Sequence, residues 1–249
     1  MHFLFPLLLT LLQSPHGRTG EIIGGQEVKP HSRPYMAYLE SRKESGNLSR
    51  CGAFLIREDF LLTAAHCWGS SMIITLGAHN IKKSEDTQQR ISVFRAIPHP
   101  QYNTPMYTND IMLLQLKKKA RLNKAVQLLP LPEKKDWLKP GKSCIVAGWG
   151  RTLKNRSSDT LQEVEIKVMK KQECMKKYLI YDDSTQICAG DPKEQKASYK
   201  GDSGGPLICD RVAQGIVSYG SLDGSAPRVY TRISIFLKWI KETLNAHEY

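Results

Sequence analysis

Hydrophobic residues recur along most of the chain in short runs, separated by glycine, proline and charged residues. Short aliphatic or aromatic runs bounded by turn residues predict β-strands. The predicted strands fall into two sets. The first set is Tyr35–Leu39, Gly52–Ile56, Phe60–Thr63, Met72–Leu76, Ile91–Ile97 and Ile111–Leu116; the second is Ser143–Ala147, Leu161–Val168, Gly205–Cys209, Gly215–Tyr219 and Arg228–Thr231. Strands at this spacing, without long helical patterns between them, predict an all-β fold of antiparallel barrels or sandwiches.

One helix is predicted, at the C-terminus over about 235–246. Phe236, Trp239, Ile240 and Leu244 recur at the three- and four-residue spacing of a helix packed on a core, although a basic amphipathic helix can also contact membranes.

The proline-rich stretch 130–141 between the strand sets predicts a connection between an N-terminal unit of about 22–130 and a C-terminal unit of about 131–234. A chain of 249 residues is long enough for two such units.

The first residues differ from the rest. Phe3 to Leu12 is an apolar run too short to span a bilayer, and polar and small residues follow it. This pattern predicts a removable secretory signal peptide over 1–19, with an interfacial anchor as the alternative. Nothing later in the chain predicts an integral membrane segment.

The cysteines agree with a secreted protein. Their number is even, and none forms a C-x-x-C pair, so disulfides are favoured over metal ligation and no metal is expected. The sequence alone does not pair Cys51, Cys67, Cys144, Cys174, Cys188 and Cys209. Asn47 and Asn155 each begin a glycosylation sequon.

The chain carries 36 Lys and Arg against 24 Asp and Glu, a formal charge of +12. Such a balance favours polyanions, among them glycosaminoglycans and proteoglycans, although scattered basic residues also serve simply to solvate a surface. No nucleic-acid recognition motif accompanies the charge, so nucleic acid is not an expected partner.

Three segments contain chemically suggestive residues. They are residues 62–67 (LTAAHC) with His66, residues 109–114 (NDIMLL) with Asp110, and residues 201–206 (GDSGGP) with Ser203. A serine hydroxyl needs an adjacent base to become a nucleophile, histidine titrates near operating pH, and a carboxylate orients the imidazole. Glycines around the serine let the amides of Gly201 and Ser203 converge on a developing oxyanion. Each segment alone has a structural explanation, but the three together in the order His, Asp, Ser predict a catalytic triad.

Together with residues 22–25 (IIGG), these segments resemble the four signature blocks of the chymotrypsin family, spread over the chain after residue 21. The resemblance implies two antiparallel six-stranded β-barrels with the active site between them, and a peptidase domain over 22–249. It also implies the disulfides Cys51–Cys67, Cys144–Cys209 and Cys174–Cys188. It implies no cofactor.

The chain departs from many members of that family, since Tyr199 stands where they carry a cysteine that bridges the specificity pocket. This absence, with residues 30–38, resembles the branch of granzymes, cathepsin G and mast-cell chymases. Gly20-Glu21 resembles the activation dipeptide of that branch, which a dipeptidyl peptidase removes. The new α-amino group of Ile22 is then expected to pair with Asp202, whose other explanation is a purely structural hydrogen-bonding role in the turn.

By resemblance, the substrate pocket has Ala197 at its base, with walls formed by Ser198, Tyr199, Ser218 and Gly220. A neutral base disfavours substrates with Lys or Arg before the scissile bond. Arg228 matches the position with which granzyme B binds an acidic side chain, and a guanidinium forms charge-assisted hydrogen bonds to carboxylates. The alternative is that Arg228 faces solvent or pairs with Asp223.

The sequence thus predicts a secreted serine endopeptidase, stored in granules of immune cells, that cleaves after Asp and promotes cytolysis. The expected partners are protein substrates, the dipeptidyl peptidase, serpin inhibitors and glycosaminoglycans. Two alternatives remain, a chymase- or elastase-like protease and a non-catalytic basic antimicrobial or proteoglycan-binding homologue.

Overall fold

A computed structural model describes residues 22–133, 137–151 and 156–247. The predicted signal peptide, the dipeptide Gly20-Glu21 and the sequon residue Asn155 lie outside these ranges. The described strands, in chain order, are β1 Gln26–Glu27, β2 Met36–Arg42, β3 Leu48–Arg57, β4 Phe60–Thr63, β5 Ser71–Leu76, β6 Gln89–Pro98, β7 Met112–Leu116, β8 Ser143–Gly148, β9 Gln162–Lys167, β10 Gln186–Ala189, β11 Pro206–Cys209, β12 Val212–Tyr219 and β13 Arg228–Arg232. The described helices are α1 Lys171–Lys177 and α2 Leu237–Ala246, with 3-10 turns at Ala65–Cys67 and Ile233–Ile235.

The first six-stranded unit is a closed antiparallel barrel in the order β2-β3-β4-β7-β6-β5. Its central strands β4 and β7 are buried along their whole length, which explains their nearly continuous aliphatic sequences. Each leucine or isoleucine buried here contributes roughly 1.5–3 kcal/mol. Closure leaves no strand edge unpaired.

The second unit is a seven-stranded antiparallel sheet in the order β1-β9-β8-β11-β12-β13-β10. Two backbone hydrogen bonds connect the end of β9 and the residues after it to the end of β10. Met169 N donates to Cys188 O and Gly190 N donates to Lys167 O, both at 2.8 Å. An isolated bridge between Val168 and Ala189 lies between them. Six strands therefore surround the second core, and β1 adds a short outer strand.

Helix α2 connects the two units. Phe236 and Ile240 are buried in the cluster that also holds the core of the first barrel. The rings of Phe236 and Trp239 contact His99, with centroids 5.2 and 5.0 Å away. The chain end that follows the second unit is thus packed on the first.

The all-β, trypsin-like fold with a C-terminal helix is confirmed. The prediction from sequence did not include β1, β10 or α1. The predicted C-terminal helix begins two residues before α2, because a 3-10 turn precedes that helix. Within the described ranges, neither helix has the length and apolar character that crossing a bilayer requires.

Candidate active site

His66 lies in the 3-10 turn Ala65–Cys67 that follows β4. A disulfide between Cys51 and Cys67 ties this turn to β3. The turn itself is closed by backbone hydrogen bonds from Cys67 to Ala64 and from Trp68 to Ala65. About a fifth of the His66 side chain is exposed, so the imidazole is held from behind and remains open on one side.

Register explains how Asp110 reaches this turn. β4 and β7 are antiparallel, and Thr63 lies opposite Met112, so the residues just after β4 meet those just before β7. His66 Nδ1 lies 2.8 Å from one oxygen of Asp110, and the amide of His66 donates to the other at 2.9 Å. The carboxylate thus fixes both the imidazole and the backbone that carries it.

Asp110 is fully buried, yet its pKa lies below its ordinary value. Burial alone would raise the pKa, but the charge and hydrogen bond of His66 and the hydroxyl of Ser218 act more strongly in the opposite direction. Ser218 donates to the carboxylate at 2.6 Å. The sequence reading placed Ser218 only in the pocket wall. Its side chain reaches Asp110 from a register irregularity between Val217 and Tyr219 in β12, the kind of bulge that re-aims side chains.

Ser203 lies in the tight turn before β11. Gly201, with φ of +100°, is in a conformation that side chains rarely adopt. The amides of Asp202, Gly204 and Gly205 all donate to backbone carbonyls. Among the described residues, the amides of Gly201 and Ser203 donate to none, so both are available to an oxyanion.

The turn of Ser203 packs against the segment of His66. The carbonyl of Ser203 accepts a 2.7 Å hydrogen bond from Gly52, and it lies 3.7 Å from the sulfur of Cys67. The Ser203 hydroxyl and the His66 ring form no direct hydrogen bond within the described part of the chain. Such bonds are often long until substrate binds. The structure therefore joins His66 to Asp110 directly and brings Ser203 beside them.

Asp202 is also fully buried, and burial raises its pKa to about 7. Its carboxylate accepts the amides of Gly150 and Tyr199, both at 2.8 Å, which lower the pKa only in part. Ile22 is fully buried in the second core, and Ala197 donates to the carbonyl of Ile23 at 3.1 Å. The segment that would become the new N-terminus thus forms an isolated β-bridge with the irregular segment that leads to Asp202.

The predicted pocket residues lie together beside this turn. Ala197, Ser198 and Ser218 are buried, and Tyr199 and Gly220 are partly exposed. Arg228 is only 7% exposed, and its guanidinium donates to the carbonyl of Ser221 at 3.0 Å. A β-carbon on Gly220 would lie 2.4 Å from the guanidinium carbon, so a larger residue there would have to displace the end of the Arg228 side chain.

Arg228 does not pair with Asp223, which instead accepts hydrogen bonds from Ser225. The alternatives in which Arg228 faces solvent or binds that aspartate do not hold. Within the described ranges no carboxylate lies within ion-pair distance of the guanidinium, and its buried Nε has no partner. Among the described residues, the buried guanidinium beside the pocket thus has no directly paired carboxylate, and Asp202 feels its charge only from beyond ion-pair distance.

The other predicted contacts can be located. The structure contains the three disulfides implied by the family resemblance, Cys51–Cys67, Cys144–Cys209 and Cys174–Cys188. Cys51, His66 and Cys67 form a close group of potential metal ligands, but the disulfide leaves no thiolate to bind an ion. Asn47 is exposed in the loop between β2 and β3.

Sequence reasoning missed two further neighbours of the site. Tyr107 packs edge-on against His66, with ring centroids 5.7 Å apart. Thr231 donates to the carbonyl of Asp110 at 2.8 Å, from 121 positions away in the chain. No local signal could have identified either contact, since the Tyr107 contact depends on how a loop of the first unit folds back and the Thr231 contact on how the two units pack.

Comparison with known proteins now defines the class. The family model described as Trypsin matches residues 22–240. The chain belongs to the trypsin family and is a serine endopeptidase, which acts on protein substrates.

Its relatives narrow the class further. Human cathepsin G is 54% identical over 240 residues, covering 96% of this chain and 94% of its own. Human granzyme B is 56% identical over 243 residues, covering 97% and 98%. Mast cell protease 3 of Ovis aries is 57% identical, covering 97% and 96%. A solved structure described as "Structure of GrC" superposes with a TM-score of 0.87 at 53% identity, covering 90% of this chain and all of that one. The protein is thus a serine protease of the granzyme, cathepsin G and chymase kind.

Proposed function

We propose that His66, Asp110 and Ser203 form the catalytic triad of an endopeptidase that cleaves after aspartate through an acyl-enzyme. The Ser203 oxygen attacks the scissile carbonyl while His66 takes the hydroxyl proton, and Asp110 holds the imidazole through Nδ1. The two unpaired amides of Gly201 and Ser203 stabilise the oxyanion. His66 then protonates the leaving amine, and water, deprotonated by His66, hydrolyses the ester to free Ser203.

The observation that carries the specificity is the buried guanidinium of Arg228 without a carboxylate partner among the described residues. Leaving a buried charge unpaired is costly, and an aspartate side chain of the substrate would supply the missing charge. Ala197 at the pocket base adds no charge that would compete. The guanidinium carbon lies over the ring of Tyr199, 5.7 Å from the ring centroid, a cation–π distance that helps to hold the guanidinium at the pocket.

Lys200 supports a further preference for acidic substrates. It lines a cavity of about 330 Å³ next to Gly201, together with the basic residues Arg50 and Lys82. Because Gly201 is a proposed oxyanion donor, this cavity lies next to the reacting carbonyl. Acidic residues near the scissile bond would meet a positive potential there.

The experiment is a substrate panel with Asp, Glu, Phe, Val and Lys before the scissile bond, applied to protein that begins at Ile22. We expect cleavage after Asp, and a loss of about 30-fold or more in Arg228→Met, the cost of removing one partner of a buried charge pair. Arg228→Lys keeps the charge without the planar fork and should retain part of the activity.

Labelling with a fluorophosphonate distinguishes a defect in the specificity pocket from a defect in the catalytic triad. Arg228→Met should still label, because the reagent reports on Ser203 and needs no acidic side chain. Cleavage confined to Phe or Val in the wild type would instead favour the chymase- or elastase-like alternative. Wild-type protein that fails to label would favour the non-catalytic basic homologue.

We further propose that the enzyme is secreted, stored in granules and activated by a dipeptidyl peptidase that removes Gly20-Glu21. Its role would be cytolysis of target cells, with serpins as inhibitors. The +12 charge supports binding to glycosaminoglycans in storage. The exposed position of Asn47 supports its glycosylation, and Asn155 stays a predicted site.

A further inference from the structure

The turn that carries His66 is also held through its backbone carbonyl groups, which take no part in the contacts between His66 and Asp110. Three successive carbonyls, those of His66, Cys67 and Trp68, point toward the end of β2. The buried hydroxyl of Ser41 donates to the Cys67 carbonyl at 2.8 Å. The ammonium of Lys43 donates to the His66 carbonyl at 3.0 Å and also to the carbonyl of Trp68.

Strand geometry explains why two residues share this task. Alternate residues of an extended chain face the same side, so Ser41 and Lys43 both face the turn while Arg42 faces away. Arg42 instead donates to the carbonyl of Gly46 within its own exposed hairpin loop. The amide of Lys43 bonds Asn47 at 2.9 Å, which anchors the backbone from which the ammonium reaches.

The surroundings of Lys43 show that the hydrogen bonds to the His66 turn are the main contacts of its ammonium. No carboxylate among the described residues lies within ion-pair distance of its ammonium. Partial burial lowers the pKa of Lys43, as expected of an ammonium that has exchanged water for two carbonyls. Of the other titratable groups around His66, Asp110 binds Nδ1 and Tyr107 contacts the ring edge.

We propose that Lys43 is a positioning residue for His66. It fixes the carbonyl side of the turn, as Asp110 fixes the amide side, and its charge disfavours a second positive charge on the imidazole. The inference rests on the proposed role of His66 as general base, and it is independent of specificity for aspartate. Both effects keep a neutral, correctly aimed imidazole next to Ser203, which is the form that accepts the serine proton.

The test uses fluorophosphonate inactivation of the mature enzyme, which reports on Ser203 and His66 without a specificity pocket. In Lys43→Met we expect the maximal inactivation rate to fall about tenfold, because one end of the turn is released, with little change in the half-saturating concentration. The acid limb of the rate profile should move to higher pH, because a positive charge near the imidazole has been removed.

Arg42→Met is the matched control, because it removes the same charge one position away without touching the turn. It should leave both the rate and the acid limb unchanged, and Lys43→Arg should restore most of both. Thermal unfolding checks that each variant is folded, and Lys43→Gln replaces Lys43→Met if the latter is not.

Three outcomes would overturn the inference while leaving the proposed triad intact. Lys43 variants that react like the wild type would show that the contact has no catalytic effect. An equal change in Arg42→Met would assign the effect to surface charge alone. A lower rate with an unmoved acid limb, not restored by Lys43→Arg, would mean that Lys43 only supports the loop. Wild-type enzyme that does not react would instead contradict the triad itself, and the inference with it.

Discussion

Two aspartates at this site, Asp110 and Asp202, are both fully buried, and their carboxyl groups behave in opposite ways. The pKa of Asp110 is lowered, because His66 and Ser218 compensate for burial. The pKa of Asp202 is raised to about 7, because burial is opposed mainly by two backbone amides. Equal burial thus gives a lowered pKa in one place and a raised pKa in the other. What differs is the contacting side chains, because His66 and Ser218 hydrogen-bond Asp110 directly, whereas Asp202 accepts only backbone amides and the charge of Arg228 acts from beyond ion-pair distance.

The difference suggests what each carboxyl group is for. Asp110 has its partner as soon as the chain folds. Asp202 lacks a cationic side chain within ion-pair distance in the described ranges, and the segment beginning at Ile22 lies close by. If cleavage before Ile22 supplies an ammonium to Asp202, as we propose, the site is completed only by proteolysis.

The largest effect should come from removing the charge that already has a partner. In Asp110→Asn we expect kcat/KM to fall by about four orders of magnitude, because the amide favours the wrong imidazole tautomer. Steady-state kinetics on the best substrate of the panel measures this. Asp86→Asn, the same change on the surface, should be silent. A loss of less than tenfold in Asp110→Asn would contradict the assigned role.

The next effect concerns the carboxyl group without a partner. Protein that keeps Gly20-Glu21 should react with fluorophosphonate about 10²–10³-fold more slowly than protein beginning at Ile22, since the Gly201 and Ser203 amides are not yet fixed. Asp202→Asn in the mature protein should be impaired to a similar degree. Full reactivity with the dipeptide present would remove the basis for pairing Ile22 with Asp202.

The smallest effect is a pH dependence of stability. An acid whose pKa is about 7 when folded and about 4 when unfolded binds more protons in the native state between those values. Its contribution therefore becomes less favourable as pH rises through that window, and above pH 7 the penalty is complete. Denaturation of the uncleaved protein should show that Asp202→Asn, which removes the charge and keeps an acceptor for only one of the two backbone amides, gains stability relative to wild type as the pH rises from 5 to 8. In the mature protein this gain should largely disappear. An identical pH dependence in both forms would argue against a partner created by cleavage.

Much of the fold could be predicted from the sequence, namely those strands that are buried on one face or along their whole length and therefore show a clear pattern of apolar residues. The prediction of Phe60–Thr63 agrees with β4 to the residue, because three apolar residues and a β-branched threonine are bounded by a charged turn and by the histidine segment. β10 was missed because Gln186–Ala189 is short and begins with a buried polar residue. α1 was missed because only Cys174 is buried in it and no side chain caps its start.

The site divides in the same way. The segments around His66, Asp110 and Ser203 could be found from the sequence, because residue types and chain order carry the signal. The contacts that tune them could not. Ser218 reaches Asp110 across 108 positions and Lys43 reaches His66 across 23, through a strand bulge and a hairpin end whose geometry no short motif encodes.

The absence of room at Gly220 constrains how this pocket could change over time. Any larger residue there would have to displace the guanidinium of Arg228 from its present position, so the two positions are coupled. A lineage or a laboratory selection that enlarges residue 220 would move the buried charge within the pocket or favour a shorter residue 228. Either route changes the charge that a substrate side chain meets, so the smallest residue of the pocket helps to fix where its positive charge lies.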